Sequence, residues 1–223
     1  MSPAIQAMQR DDTQNPALLW VAQGEALFRQ PPTAGAQACV ACHSTASMAG
    51  VAARYPAWDA ASARPVSLPH RIALCRQRHQ STAPALAPQS DALLALEAWV
   101  ARQSRGLPIA PPTDARLNAF AERGAAAYAR RIGQLDLSCA QCHDQHAGQR
   151  LGGSVIPQGQ ATGYPIYRLE WQGMGSLARR LRGCMTAVRA EPWAPQSVEM
   201  VELETFLARR AAGLAVESPA VRS

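Results

Sequence analysis

The chain has 223 residues, a net charge of +6 and 48% hydrophobic residues, enough for one large or two ordinary domains. All 22 basic residues are arginines, scattered without an aromatic stacking platform, so the sequence argues against nucleic-acid binding. It also argues against a membrane span, because the best apolar run, from Ala92 to Ala101, is interrupted by Glu97.

The first half of the chain predicts two helices on either side of a loop-rich centre. The dipeptide Asn15-Pro16 is typical of a helix start, and apolar residues at helical spacing follow it in ALLWVAQGEALF. Next comes the motif Cys39-Val-Ala-Cys42-His43, and a loop-rich stretch then leads to Cys75. Ser90 predicts the N-cap of a second helix, DALLALEAWVARQSR, which ends before the Gly-Leu-Pro at 106–108.

The second half repeats this order after a predicted linker, GLPIAPPT, whose prolines cannot continue a helix. Thr113 predicts the cap of the next helix, and a second Cys-x-x-Cys-His motif begins at Cys139. A last helix is predicted from Ser197 to near Gly213. The tail VESPAVRS is expected to be loosely held.

The two halves are related by an internal repeat in three blocks, each with a constant offset. The first block matches Gly24 to Gly124 and the first Cys-x-x-Cys-His motif to the second, the next block ends at Cys75 and Cys184, and the last covers the closing helices. Each half has the plan of a class I cytochrome c domain. We therefore predict a mainly α fold of two tandem class I cytochrome c-like domains, 1–108 and 109–223. The two glycines are expected where the first and last helices of each half cross.

Cys-x-x-Cys-His is the attachment signature of a c-type haem. The predicted thioether positions are Cys39, Cys42, Cys139 and Cys142, and the predicted proximal iron ligands are His43 and His143. A structural zinc site with four cysteines is the alternative. Its paired motifs usually lie close together in one small module, whereas here they lie in separate halves of the chain. The sequence therefore favours two covalently bound haem c groups.

The opposite axial position of each iron is predicted to hold a cysteine. Outside the two motifs, neither Met nor His recurs at matching positions of the two halves, whereas Cys75 and Cys184 do. The alternatives are a disulfide between these two cysteines or two buried free thiols. A thiolate ligand lowers the reduction potential of the iron relative to a methionine ligand. Such a ligand suits a site where sulfur chemistry takes place at the ligand itself.

Three arginines, at 179, 180 and 182, stand just before Cys184. On a helix, Arg180 and Cys184 share a face, so Arg180 could hold an oxyanion beside the sulfur in the bidentate manner of a guanidinium. A haem-propionate partner or a solvated basic edge is the alternative role for these side chains. Arg71 stands in the same register before Cys75, so the position alone does not define an active site.

The segment from Glu122 through Cys184, followed by Val-Arg-Ala-Glu-Pro, resembles the SoxA subunits of the SoxAX cytochromes, and the resemblance extends more weakly to the N-terminus. It implies oxidative attachment of thiosulfate to a cysteine of the carrier protein SoxYZ, an L-cysteine S-thiosulfotransferase activity. It also implies a SoxX-type haem subunit as a partner, and electrons would leave to a soluble cytochrome c acceptor. The family's active haem is the C-terminal one, its cysteine ligand matches Cys184, and its substrate arginine matches Arg180.

Some relatives lack the N-terminal haem signature, but this chain keeps it, so we expect a dihaem form. The chain also departs from the family's frequent TGVRAEP stretch at Ala187, which is expected to matter little. Haem attachment of this type takes place outside the cytoplasm, and the start lacks an apolar signal region. We therefore expect a mature periplasmic chain with an artificial Met1. The alternative functions are a dihaem electron-transfer cytochrome without sulfur chemistry and a thiosulfate dehydrogenase that forms tetrathionate.

Overall fold

The computed structural model describes residues 1–80 and 83–223. Within these residues the seven α-helices are α1 Pro3–Arg10, α2 Ala17–Arg29, α3 Leu68–His79, α4 Asp91–Arg102, α5 Asn118–Ala129, α6 Leu177–Ala187 and α7 Val198–Arg210. The strands are short: β1 Ala57–Asp59, β2 Arg64–Val66, β3 Arg150–Leu151, β4 Ser154–Val155, β5 Ile166–Arg168, β6 Gly173–Gly175 and β7 Ala220–Arg222. In the described part of the chain, no helix has both the length and the apolar character needed to cross a membrane.

Each repeat is built on a crossing of its first and last helices, α2 with α4 and α5 with α7. The crossings are close because glycine occupies the contact point in both. A Cβ at Gly24 would overlap the Ala95 backbone and lie 2.8 Å from the Trp99 Cβ, and a Cβ at Gly124 would lie 2.9 Å from the Phe206 Cβ. The structure thus confirms the predicted role of both glycines.

An aromatic pair fills the same place at each crossing. The rings of Phe28 and Trp99 lie 4.1 Å apart between centroids in the first repeat. The corresponding rings of Tyr128 and Phe206 lie 5.1 Å apart in the second. Offset aromatic contacts of this kind add to the free energy gained by burying the side chains. The repeat seen in the sequence is therefore also a repeat of core packing.

A small antiparallel hairpin precedes each cysteine-bearing helix. β1 pairs with β2 before α3, and β5 pairs with β6 before α6, in matching registers. Ser176 caps α6 by accepting a hydrogen bond from the Arg179 backbone N–H at 3.2 Å. The hairpins thus fix where α3 and α6 begin, and thereby where Cys75 and Cys184 lie.

The C-terminal tail is not loosely held, and this expectation was wrong. β7 pairs in parallel with β5, and Ala220 and Val221 are fully buried. The N-terminal segment covers the tail, since the Gln9 side chain accepts a hydrogen bond from the Val221 N–H at 3.1 Å and the Asn15 amide donates to the Pro219 carbonyl at 3.1 Å. The strand is formed through contacts with residues distant in sequence, so its local composition does not predict it.

Two smaller expectations also need correction. Thr113 does not cap a helix: the Asp114 side chain accepts from the Arg116 N–H at 2.9 Å and caps a 3-10 turn at Ala115–Leu117 that leads into α5. The predicted linker is an ordered segment, because residues 106–109 exchange backbone hydrogen bonds with residues 213–216 and Ile109 is buried. These two segments are the matching ends of the two closing helices.

Candidate functional site

The second Cys-x-x-Cys-His motif is held by a reciprocal capping arrangement. The Ser138 hydroxyl accepts a hydrogen bond from the Gln141 N–H at 3.1 Å, and the Gln141 side-chain oxygen accepts from the Ser138 N–H at 2.8 Å. This fixes the turn that presents Cys139 and Cys142. The first motif has Ala38 in the place of Ser138 and forms a 3-10 turn at Cys39–Ala41 without a side-chain cap.

Each candidate cysteine ligand lies with the motif of its own repeat. Burial chiefly raises the pKa of the Cys75 thiol, and nearby Cys39 and Cys42 raise it further. Burial likewise raises the pKa of Cys139 to about 11, with Cys184 adding to the effect. All six cysteines are free, so the structure lacks the disulfide between Cys75 and Cys184 that the sequence left open.

A backbone hydrogen bond holds the ring of His143, the predicted proximal ligand of the second haem. Its Nδ1 donates to the Pro157 carbonyl at 2.7 Å, which leaves Nε2 free to bind a metal. Gly159 packs against the base of the ring, since a Cβ there would lie 3.0 Å from the His143 Cβ and Cγ. The loop of residues 144–163 that carries both contacts is longer than its counterpart in the first repeat, where His43 is exposed. This longer loop is why the repeat offset increases between the motifs and the cysteine-bearing helices.

These donors fit two haem c groups. Each repeat brings its motif cysteines close to its further cysteine, and His143 has the hydrogen-bond partner that metal-bound histidines use. Within the described residues, no cluster of three or more His, Cys, Asp or Glu side chains is arranged to hold a metal ion. A haem iron needs only two protein ligands, so the donor set matches a haem better than a structural zinc site.

The three arginines before Cys184 have different surroundings. The Arg179 guanidinium stacks on the Trp171 ring, 4.0 Å from its centroid, and Arg182 donates to the Trp193 carbonyl at 2.6 Å. Arg180 is half-buried, and within the described part of the chain no carboxylate lies within ion-pairing distance of it. Of the three arginines, Arg180 is therefore the one left available for an external anion.

Comparison with known proteins agrees with this architecture. The family model for the SoxA/TsdA cytochrome c domain matches the chain twice, at residues 23–109 and 123–216. Among curated proteins, the L-cysteine S-thiosulfotransferase subunit SoxA of Pseudaminobacter salicylatoxidans is 36% identical over 217 residues, covering 96% of this chain and 76% of the relative. The SoxA subunit of Rhodovulum sulfidophilum is 34% identical, covering 98% and 76%.

The chain belongs to the SoxA family. The prediction of two tandem cytochrome c-like domains is thereby confirmed. Among solved structures, SoxXA from P. pantotrophus matches with a TM-score of 0.93 at 30% identity, over 100% of this chain and 84% of that chain. The covalently bound c-type haem expected from the two motifs is a property of this family's domain.

In this SoxA-family chain, a tyrosine that sequence reasoning did not single out lies beside the second site. Burial raises the pKa of Tyr164 to about 12, and the nearby Arg180 guanidinium opposes this shift. Tyr164 therefore keeps its proton at neutral pH and can donate a hydrogen bond beside Arg180 and Cys184. Its match to Tyr55 in the first repeat was visible in the sequence, but the proximity to the arginine was not.

Two further functional candidates were also missed. Pro157 contributes only a backbone carbonyl, which no side-chain pattern can reveal. Asp59 forms an ion pair with Arg71 at 2.5 Å, and only this contact shows that Asp59 belongs to the surroundings of the first site. Asp59 aligns with Arg168 in the second repeat, so the repeat itself carried the signal that the two sites differ.

Proposed function

We propose that this chain is the SoxA-type subunit of an L-cysteine S-thiosulfotransferase. With a haem-bearing SoxX-type partner in the periplasm, it joins thiosulfate to a cysteine of a SoxYZ carrier protein. One structural observation carries this proposal: Arg180 and Cys184 lie on one face of α6. Among the described residues, Arg180 has no carboxylate partner. The names of the curated relatives support the same activity.

The proposed haem sites follow the repeat. Cys39, Cys42, His43 and Cys75 would hold the first haem, and Cys139, Cys142, His143 and Cys184 the second. We also propose the domain boundary between residues 108 and 109, within the segment that joins the two closing helices. When bound, the haems supply one-electron acceptors whose potentials are kept low by cysteine ligation.

The chemistry at the second site is an oxidative sulfur–sulfur coupling. The carrier thiol loses its proton, its sulfur bonds to the terminal sulfur of thiosulfate, and two electrons are released. Per carrier cysteine, RSH and S₂O₃²⁻ become RS–SSO₃⁻, one proton and two electrons. The electrons leave through the partner subunit to a soluble cytochrome c.

The chain's own side chains would orient the anion in this reaction. The Arg180 guanidinium donates to the sulfonate oxygens, because a planar fork of N–H donors matches two oxygens of an oxyanion. The Tyr164 hydroxyl, which stays protonated, donates at the same place. Held there, the terminal sulfur of thiosulfate would point away from the arginine, towards an incoming thiol.

The activity is tested with the holoprotein in complex with its haem partner, incubated with thiosulfate and a cytochrome c acceptor. We expect acceptor reduction that depends on the carrier protein, and no tetrathionate when the carrier is left out. Tetrathionate formed without carrier would instead identify a thiosulfate dehydrogenase. An absence of thiosulfate-dependent reduction under both conditions would leave an electron-transfer cytochrome.

The ligand assignment is tested by low-temperature electron paramagnetic resonance of the oxidised holoprotein. Two low-spin signals of thiolate type are expected, one per haem. Cys75→Met and Cys184→Met should each convert one signal, and a different one, to a methionine-type spectrum. A methionine-type spectrum in the unmodified protein would contradict the assignment.

A further inference from the structure

The two repeats differ in charge at one matched position beside the cysteine-bearing helix. In the first repeat, Asp59 ends β1 and is 3% exposed. Its carboxylate accepts from Arg71 at 2.5 Å and from Arg78 at 2.9 and 2.8 Å. The Ser62 hydroxyl and backbone N–H also donate to it, at 2.6 and 2.9 Å. One carboxylate thus forms ion pairs with two guanidinium groups.

In the second repeat, the matched position at the end of β5 is Arg168, since the register of β1 with β2 is repeated by β5 with β6. Arg168 turns to Glu170 at 3.0 Å and to the Trp171 ring, 5.2 Å from its centroid. A cation, Arg168, thus stands where the first repeat has Asp59, the partner of Arg71. In the described part of this repeat, no carboxylate lies within ion-pairing distance of Arg180.

We infer that Asp59 closes an oxyanion site in the first repeat, occupying the place that a substrate anion takes beside Arg180 in the second. Asp59 is then a specificity-determining residue that directs thiosulfate to the second haem. This inference rests on the proposed function for the role of Arg180, but the closure of the first site by Asp59 can be tested separately.

The geometry of the first site supports this reading in two ways. Arg71 and Arg78 converge on one carboxylate, so their donors are already aimed at a common point where another oxyanion could bind. Both guanidinium groups are also reachable, with side chains 28% and 32% exposed. A tethered carboxylate has a high effective concentration, so a free anion cannot displace it at ordinary concentrations.

The charge of Asp59 is also insensitive to pH in the functional range. Hydrogen bonds from Arg78 and Ser62 hold the pKa of this carboxyl far below its ordinary value. The competing carboxylate is therefore always present. Sequence position 78 has Ala187 as its match, so the second repeat lacks the second arginine as well as the carboxylate.

The first arm of the test places a carboxylate in the second repeat. Arg168→Asp should capture Arg180 and raise the thiosulfate KM of carrier conjugation by about tenfold or more, which corresponds to about 1.4 kcal/mol or more. The value of kcat should change much less, because Cys184 and the haem attachment are untouched. Arg168→Ala is the matched control: it loses the same contacts to Glu170 and Trp171 without adding a carboxylate.

The second arm opens the first site and needs no turnover. Sulfate is titrated calorimetrically into the oxidised holoprotein as unmodified chain, as Asp59→Asn, and as Asp59→Asn combined with Arg71→Ala. Asp59→Asn should bind sulfate at one more saturable site than the unmodified chain does. The double variant should lack this additional site. Equal stoichiometry in all three proteins, with native absorption spectra, would overturn the inference.

The two arms also separate this inference from the proposed function. If the unmodified complex conjugates thiosulfate but Arg168→Asp behaves like Arg168→Ala, the role of the matched position is refuted while the proposed function stands. If the unmodified complex does not conjugate thiosulfate, the proposed function fails, and the sulfate titration still decides whether Asp59 closes an anion site. Should Asp59→Asn fail to fold, the Arg168→Asp comparison alone decides.

Discussion

Two buried glutamates at the interface of the repeats predict an unusual dependence of stability on pH. Glu97 on α4 and Glu204 on α7 occupy matched positions of the two repeats and are 6% and 5% exposed. Both line a cavity of about 100 Å³ that also contains Ser67 and Ser176. In the described part of the chain, one oxygen of each carboxyl has no hydrogen-bond partner.

Loss of solvation sets the pKa of both groups. Burial raises the pKa of Glu97 to about 8, and the Glu204 charge adds to the rise. Burial also raises the pKa of Glu204 to about 8, opposed by the Ser67 hydroxyl. Both side chains are therefore neutral in the folded protein at pH 7, whereas they are ionised in the unfolded chain, where the ordinary value is 4.5.

The direction of the pH effect follows from linkage. Because the folded state binds more protons than the unfolded state, the stability is fully present below pH 4.5 and is lost as pH rises towards 8. A difference of one bound proton changes the free energy of unfolding by about 1.36 kcal/mol per pH unit. Each carboxyl therefore lowers the free energy of unfolding by about 3 kcal/mol between pH 4.5 and pH 7. Above pH 8 the loss levels off.

Glu204→Gln tests this reasoning, since glutamine has the shape of the neutral acid but cannot ionise. Urea unfolding of the holoprotein should show a smaller fall in stability between pH 5 and pH 8 in the variant, by about 3 kcal/mol or more. Glu122→Gln, at an exposed position of α5, is the control and should keep the slope of the unmodified protein. Identical slopes in all three proteins would refute the account of the buried pair.

Two glycine substitutions give further predictions, each with a matched control. Gly124→Ala should lower the stability by about 2 kcal/mol or more in thermal unfolding, because the added methyl meets a helix backbone that cannot yield. Gly183→Ala, a helical glycine with open space around it, should be neutral or stabilising. Gly159→Ala should alter the paramagnetic resonance signal of the second haem by displacing His143, whereas Gly148→Ala, with a similar positive φ of 85° but no neighbour, should not. Unchanged stability in the first case, or equal spectra in the second, would contradict these contacts.

The parts of the fold that the sequence predicts are those that occur in both repeats. Both helix crossings follow from the three blocks of the repeat and from the glycines at 24 and 124. By contrast, the tail strand β7 depends on β5 and on the N-terminal segment, from Gln9 to Asn15. Contacts of such long sequence separation leave no local periodicity, so a short polar tail was mistaken for a loose end.

The sequence predicts the candidate haem donors of both repeats, but it does not predict how the surroundings of the two sites differ. The four motif cysteines and two motif histidines follow from the Cys-x-x-Cys-His spacing, and Cys75 and Cys184 follow from the internal repeat. The difference between Arg71 and Arg180 depends on which charge stands opposite each, and that is a property of the hairpins, not of the helices that carry the arginines. Asp59 and Arg168 could have been compared once the hairpin register was known, but neither residue belongs to a haem motif.

The most direct test of the central claim is mass spectrometry of the carrier protein after reaction with the holoprotein, its haem partner and thiosulfate. We predict a thiosulfonate adduct on the carrier cysteine that is formed by the unmodified protein, is lost with Cys184→Ala, and is retained with the repeat-matched Cys75→Ala. Both variants should keep two covalently attached haems, as shown by their pyridine haemochrome spectra. Full conjugation by Cys184→Ala, or its loss in Cys75→Ala alone, would contradict the assignment of the chemistry to the second repeat.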